Sequence, residues 1–205
     1  MTAAEPSNHE TTRLIEPRVD DTLAHYAVTI VPTLPSSYPR QIGLACGEYN
    51  VRALLDAFDL EYEAEPEPPR RVRWFGLSFV GDLRNALVRH GVDSPVRHAS
   101  ELHDESRLAL LRGHIDSHEP VILAIGNGHL SRTRDSALAR TFLGHFITIY
   151  GYDAERGVFF VYDPYLDGEP DEPLPAGNVE RTGEEILRDW GGPFYYRWIG
   201  MDHVY

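Results

Sequence analysis

The chain contains no lysine; all 19 of its basic residues are arginine. That removes Schiff-base chemistry, a covalently held pyridoxal phosphate and the lysine of a phosphate-binding loop. Cysteine occurs once in 205 residues, as Cys46. A single thiol rules out an internal disulfide framework and any zinc site built on several cysteines. No apolar run approaches the roughly 18 residues of a membrane-spanning helix. Residues 1–12 are small, polar and acidic, without the basic and apolar regions of a secretory signal. The expected setting is cytoplasmic, with no membrane partner. Positive charge is scarce too, since 32 acidic side chains leave a net charge of −13. Phosphate backbones need a basic surface, so nucleic acid is not an expected partner. Glutamine also occurs once, as Gln41, five residues ahead of the cysteine.

What is present organises into one expected domain, residues 21–205, behind a mobile arm of residues 1–20. His25 to Val31 reads as a strand, and Pro32 to Pro39 as a loop leading to Gln41. From Cys46 the period changes: Val51, Leu54, Leu55 and Phe58 fall on one helical face. Glu61 to Arg73 is a charged, proline-rich connection. Asp82 is the expected N-cap of a second helix bearing Leu83, Ala86, Leu87 and His90, stopped by Gly91. A third helix runs from Asp104 to about Ile115. Pro120 to Ile125 is a short apolar run with the β-branched content of a buried strand. The polar connection from Gly126 to Gly144 carries Arg132, Arg134 and Arg140, in the manner of a lid or substrate loop. His145 to Tyr152 and Val158 to Tyr162 form a hairpin pattern around residues 153–157. Asp167 to Glu180 is a second acidic loop, Thr182 caps a short helix through Asp189, and Phe194 to Ile199 closes the chain as a strand. Helices come mainly first and paired strands mainly last, which gives an α+β fold.

The candidate chemistry lies at the junctions of these elements. A thiol reacts as its thiolate, and the start of a helix favours that anion through free N–H groups and partial positive charge. Cys46 stands at such a start, and Gly47 leaves room for a substrate to approach the backbone. Glu48 would oppose a thiolate unless its carboxylate points elsewhere. If Tyr152 lies opposite Val158, then Ile147 lies opposite Asp163. His145 and Asp163 become diagonal neighbours on the face of Ile147, Ile149, Phe159 and Val161, about 7 Å apart at the backbone. A slip of one residue would separate them. In that register Asp163 orients the imidazole, and His145 holds a proton for return to a leaving amine. Gln41 offers an amide donor to an oxyanion, together with the Cys46 N–H.

Gln41, Cys46-Gly47, Pro120-Val-Ile-Leu, the run His145-Phe-Ile-Thr-Ile-Tyr-Gly-Tyr-Asp153 and Asp163-Pro-Tyr165 together resemble the bacteriocin-processing (double-glycine leader) peptidases and their stand-alone relatives. These are papain-like cysteine peptidases. The resemblance covers roughly residues 41–165. It implies a papain-like fold, with the nucleophile at a helix start in an N-terminal helical part and an antiparallel C-terminal sheet carrying His and Asp. It also implies Cys46 as nucleophile, His145 as base, Asp163 as orienting acid and Gln41 as oxyanion donor, acting on a peptide or amide without cofactor or metal.

The residues leave other readings open. The same acyl-enzyme serves an acyl- or peptidyl-transferase, and an inactive binding module keeps the same fold. Cys46 is otherwise a small buried hydrophobe, Gln41 a loop residue, and Asp163 a strand-end turn former before Pro164. His114 and His118 have a metal-binding spacing without an evident third ligand, and His98, His103 and His129 read as surface residues.

Overall fold

The computed structural model describes residues 27–62, 79–126, 144–166, 173–191, 197–201 and 203–204. The arm of residues 1–20, most of the Glu61–Arg73 connection, the arginines of 127–143 and His129 lie outside them.

In chain order the elements are β1 (Val28–Ile30), α1 (Cys46–Ala57), α2 (Val80–Arg89), β2 (Val92–Asp93), β3 (Val96–His98), α3 (Asp104–Asp116) and β4 (Val121–Gly126). There follow β5 (Gly144–Asp153), β6 (Val158–Tyr162), β7 (Val179–Thr182), α4 (Gly183–Asp189), β8 (Arg197–Gly200) and β9 (His203–Val204). The fold thus mixes helices with an antiparallel sheet of order β3-β8-β4-β5-β6-β7. β5 is its centre. One edge of β5 pairs with β6, while the other is shared by β4 along Gly144–Ile149 and β1 along Gly151–Asp153. β2 and β9 form a separate short pair.

Every residue of β5 after Gly144 is buried, as is all of β6. A strand buried on both faces needs cover on both, so the core lies on both sides of β5 and β6. Thr148 donates to Asn50 of α1, and Tyr152 donates to Asp116 of α3. An unbulged strand would put residues at this even spacing on one face. Between Ile149 and Gly151 the β5–β6 register shifts by one residue, leaving Tyr150 unpaired with β6, and the two contacts go to different helices.

The local elements follow from their residues. In α1, Val51, Leu54 and Leu55 are buried, as the helical period requires. In α3, Leu111 and Ile115 are buried. Asp82 is not the N-cap of α2. The helix begins at Val80, and Asp82 sits in its first turn, where its carboxylate accepts the Phe79 N–H at 2.8 Å. A carboxylate satisfies an orphan donor from the N3 position as well as from the cap. Thr182 does cap α4, in a reciprocal box with Glu185. The strand expected over Phe194 to Ile199 is β8, which begins at Arg197 and is followed by the short β9, residues 192–196 lying outside the described set. The short strands β2, β3 and β9 carry too few residues for a periodic signal.

Two anchors fix the chain near the ends of β5 and β6. The loop after β1 is held by the Tyr162 hydroxyl, which donates to the Pro39 carbonyl at 2.6 Å, and by the Gln41 N–H, which donates to Pro164 at 2.6 Å. Tyr38 packs between Tyr150 and Tyr162 in the same place. The second anchor is the turn at Gly177-Asn178. Gly177 has φ +72°, and a Cβ there would lie 2.3 Å from the Val161 carbonyl oxygen. Gly177→Ala is therefore expected to destabilise the fold by at least about 1–2 kcal/mol, read as a lower urea midpoint at unchanged slope.

Candidate active site

Cys46 is the first residue of the twelve-residue helix α1, and no side chain caps that end. The first-turn N–H groups of a helix have no intrahelical acceptor, so they and the helix dipole face whatever anion stands there. The thiol is buried at 8% exposure. Glu48 does not oppose it at close range, since its carboxylate pairs with Arg52 one turn along the helix.

Asn50 joins this helix start to the sheet. It is fully buried one turn below Cys46. Its Nδ2 donates to the Cys46 carbonyl at 2.8 Å and to the Phe146 carbonyl at 2.9 Å. Its Oδ1 accepts the Thr148 hydroxyl at 2.5 Å. One amide therefore ties the turn carrying the thiol to the strand carrying His145, with both hydrogens used.

His145 opens β5 and is 6% exposed. Its Nε2 lies 2.7 Å from Asp163 Oδ1, and the Cys46 thiol is a second hydrogen-bond partner of the ring. Tyr165 stands edge-on to the ring at 6.2 Å between centroids. Burial alone would push the imidazole pKa down. The hydrogen bonds and charges of Asp163 and Cys46 outweigh it and raise the pKa from 6.5 to about 9. Because Nε2 is engaged by the carboxylate, Nδ1 is the nitrogen left for the sulfur.

The expected neighbourhood of His145 and Asp163 is present, by a route different from the one expected. At the turn the pairing is Asp153 with Val158 and Tyr152 with Phe159, one residue off the expected register. The bulge at Tyr150 cancels the slip, so Ile149 pairs with Val161 and Thr148 with Tyr162. Continuing that register sets Ile147 opposite Asp163.

Asp163 is completely buried. Its backbone is held at both ends by the Asn178 side chain, at 2.8 and 2.9 Å. Its second oxygen accepts from Arg181 at 2.6 Å. Gln41 lies on the strapped loop, where its amide nitrogen donates to the Gly43 carbonyl at 2.7 Å. Its Oε1 is buried without a hydrogen-bond partner among the described residues.

Asn50, Asn178 and Arg181 were not singled out from the sequence. Asn50 did leave a signal, a polar residue at i+4 from the cysteine beside the buried Val51. Arg181 and Asn178 left none. His114 bonds Glu119 and packs on Trp198. Among the described residues no three His, Cys, Asp or Glu side chains cluster to hold a metal ion.

The family model described as the Peptidase_C39 like family matches residues 80–184, just over half of the chain. The chain belongs to this family. The matched span holds His145, Asp163, Asn178 and Arg181, while Gln41, Cys46 and Asn50 of this C39-like chain precede it. Among solved structures, a double glycine motif protease from an AMS/PCAT transporter, in complex with the leader peptide, is 15% identical with a TM-score of 0.47. That match covers 84% of this chain and 95% of the other. A C39-like peptidase from Bacillus anthracis is 11% identical with a TM-score of 0.46, covering 87% and 99%. No curated protein matches the chain. Among the described residues no helix is long and apolar enough to cross a membrane.

Two outcomes are expected. Asn50→Ala leaves Thr148 and the Phe146 carbonyl short of a buried partner and costs about 1–3 kcal/mol, read in a denaturant titration. The raised pKa of His145 means that folding favours its proton. That stabilisation is complete below about pH 6.5 and is lost as the pH rises through about 9. The stability gap between the parent chain and His145→Gln therefore narrows over that interval, by a change on the order of 3 kcal/mol.

Proposed function

We propose that the protein is a cysteine peptidase or amidase that cleaves a peptide or amide bond through an acyl-enzyme on Cys46. The observation that carries this reading is the buried imidazole of His145, held between the Asp163 carboxylate at 2.7 Å and the Cys46 thiol. Membership of the C39-like family supports it.

The arrangement gives each group a task. Cys46 passes its proton to His145 Nδ1 and attacks the carbonyl carbon as thiolate, forming the S–C bond. The carbonyl electrons move to oxygen. The Cys46 N–H, at the uncapped helix start, and the Gln41 amide hydrogen not committed to Gly43 stabilise that oxyanion. Collapse breaks the C–N bond, and His145 returns the proton to the leaving amine. Water, deprotonated by His145, then attacks the thioester and releases the acid and the free thiol. Throughout, Asp163 fixes the ring so that Nδ1 faces sulfur and compensates the imidazolium charge.

Alkylation by iodoacetamide tests the pair without knowledge of the substrate. Cys46 is expected to react as thiolate well below pH 7 and to lose that reactivity in His145→Ala. A thiol that behaves like a free one of pKa about 8.5, indifferent to His145, would sink the proposal. Against a peptide substrate, Cys46→Ala should abolish turnover and leave the fold intact.

A further inference from the structure

The two oxygens of Asp163 have different partners. Oδ1 faces His145 Nε2 and also accepts the Tyr165 N–H at 3.0 Å. Oδ2 accepts Arg181 Nη2 at 2.6 Å. The Arg181 side chain is itself only 5% exposed, and its Nη1 lies 3.3 Å from Asp189 Oδ2. Asp189 is met in turn by Arg188, whose side chain is 58% exposed. Charges of alternating sign thus run from the imidazole to the surface through β5, the end of β6, β7 and α4.

We propose that Arg181 is a positioning residue for the reaction. Its guanidinium grips Asp163 Oδ2, fixes the plane of the carboxylate so that Oδ1 faces the imidazole, and keeps that buried group charged. The inference rests on the reading of Cys46, His145 and Asp163 as a hydrolytic site.

The physical case has three steps. A carboxylate with no solvent exposure is stable as an anion only if it is paired and hydrogen-bonded. His145 cannot fill that role alone, because its charge comes and goes with pH and with the reaction itself. Arginine keeps its charge at every accessible pH, and its planar fork defines orientation as well as charge. Among the described residues, Asp163 and Cys46 face His145, with the Tyr165 ring at its edge, and His145, Tyr162 and Arg181 stand around Asp163. Asp189 and Arg188 stand behind Arg181. Among these, Arg181 is the cation in contact with Asp163 that does not take part in proton transfer.

The ring signals of His145, assigned by their loss in His145→Ala, give the test when titrated in the parent chain, Arg181→Met and Arg181→Lys. Iodoacetamide alkylation of Cys46 runs in parallel. In Arg181→Met the His145 midpoint is expected to fall by about one unit or more, and thiolate alkylation at mildly acid pH by about tenfold. Arg181→Lys keeps the charge without the fork and should fall between the two. An arginine that merely supports the fold would lower the denaturation midpoint and leave the His145 titration where it was. A folded Arg181→Met whose His145 midpoint stays or rises overturns the proposal. Should that variant not fold, Arg181→Lys decides, an intermediate fall supporting the role and a parent-like midpoint removing it. A parent Cys46 that is unreactive below neutral pH and indifferent to His145 defeats the hydrolase reading instead. The His145 titration in the Arg181 variants still decides the positioning role in that case.

Discussion

The constraint on which the site depends is the charge of Asp163 in a place that water does not reach. Isolated, such a carboxylate would take up a proton or force the chain open. Here its side chain lies between a histidine and an arginine, and its backbone is clamped by Asn178. Each of these partners comes from a different segment. The sheet therefore brings together β5, β6, β7 and the turn before β7 partly to satisfy one buried group. The close approach of Gly177 to Val161 belongs to the same requirement, because it sets Asn178 against the end of β6.

The pairing of β5 with β6 shows what was legible in the sequence and what was not. Alternating β-branched and aromatic residues from His145 to Tyr152 and from Val158 to Tyr162 define a hairpin. Counting back from its turn brings His145 and Asp163 together. The actual turn is one residue tighter, with Asp153 instead of Tyr152 opposite Val158, and the bulge at Tyr150 restores the register before the histidine is reached. Turn length depends on local hydrogen bonds, such as those from the Glu155 and Arg156 N–H groups to Asp153 Oδ1. A bulge depends on what packs against the strand. Here β1 comes so close that a Cβ on Gly151 would stand 2.7 Å from the Thr29 carbonyl. Neither cause has a period, so the agreement at the site end came from two errors that cancel.

The helices were read well for the opposite reason, since the faces of α1 and α3 are written in apolar spacing. What periodicity cannot express is the identity of a polar partner across the chain. Asn50 and Thr148 are 98 residues apart, and Arg181 lies on β7 while Asp163 follows the end of β6. An arginine in an acidic chain with 19 of them gives no sign of being the buried one. Asn50 was within reach. A polar side chain on the inward face of a helix must find partners, and its position one turn from the cysteine limits where they are.

The same burial that makes Asp163 costly makes the site interdependent. Burial pulls His145 toward its neutral form, and the net upward shift exists only because Asp163 and Cys46 together outweigh that pull. The protonation of His145 therefore depends on both neighbours at once and does not belong to one residue. In water at neutral pH a carboxylate keeps its charge alone, whereas a free imidazole is mostly neutral. At 6% exposure for His145 and none for Asp163, solvent supplies little compensation, and the protein has to supply it through fixed bonds. Geometry and ionisation are thus one property here. The bulge, the Asn50 bonds and the Asn178 clamp decide the distances, and the distances decide which protons are held.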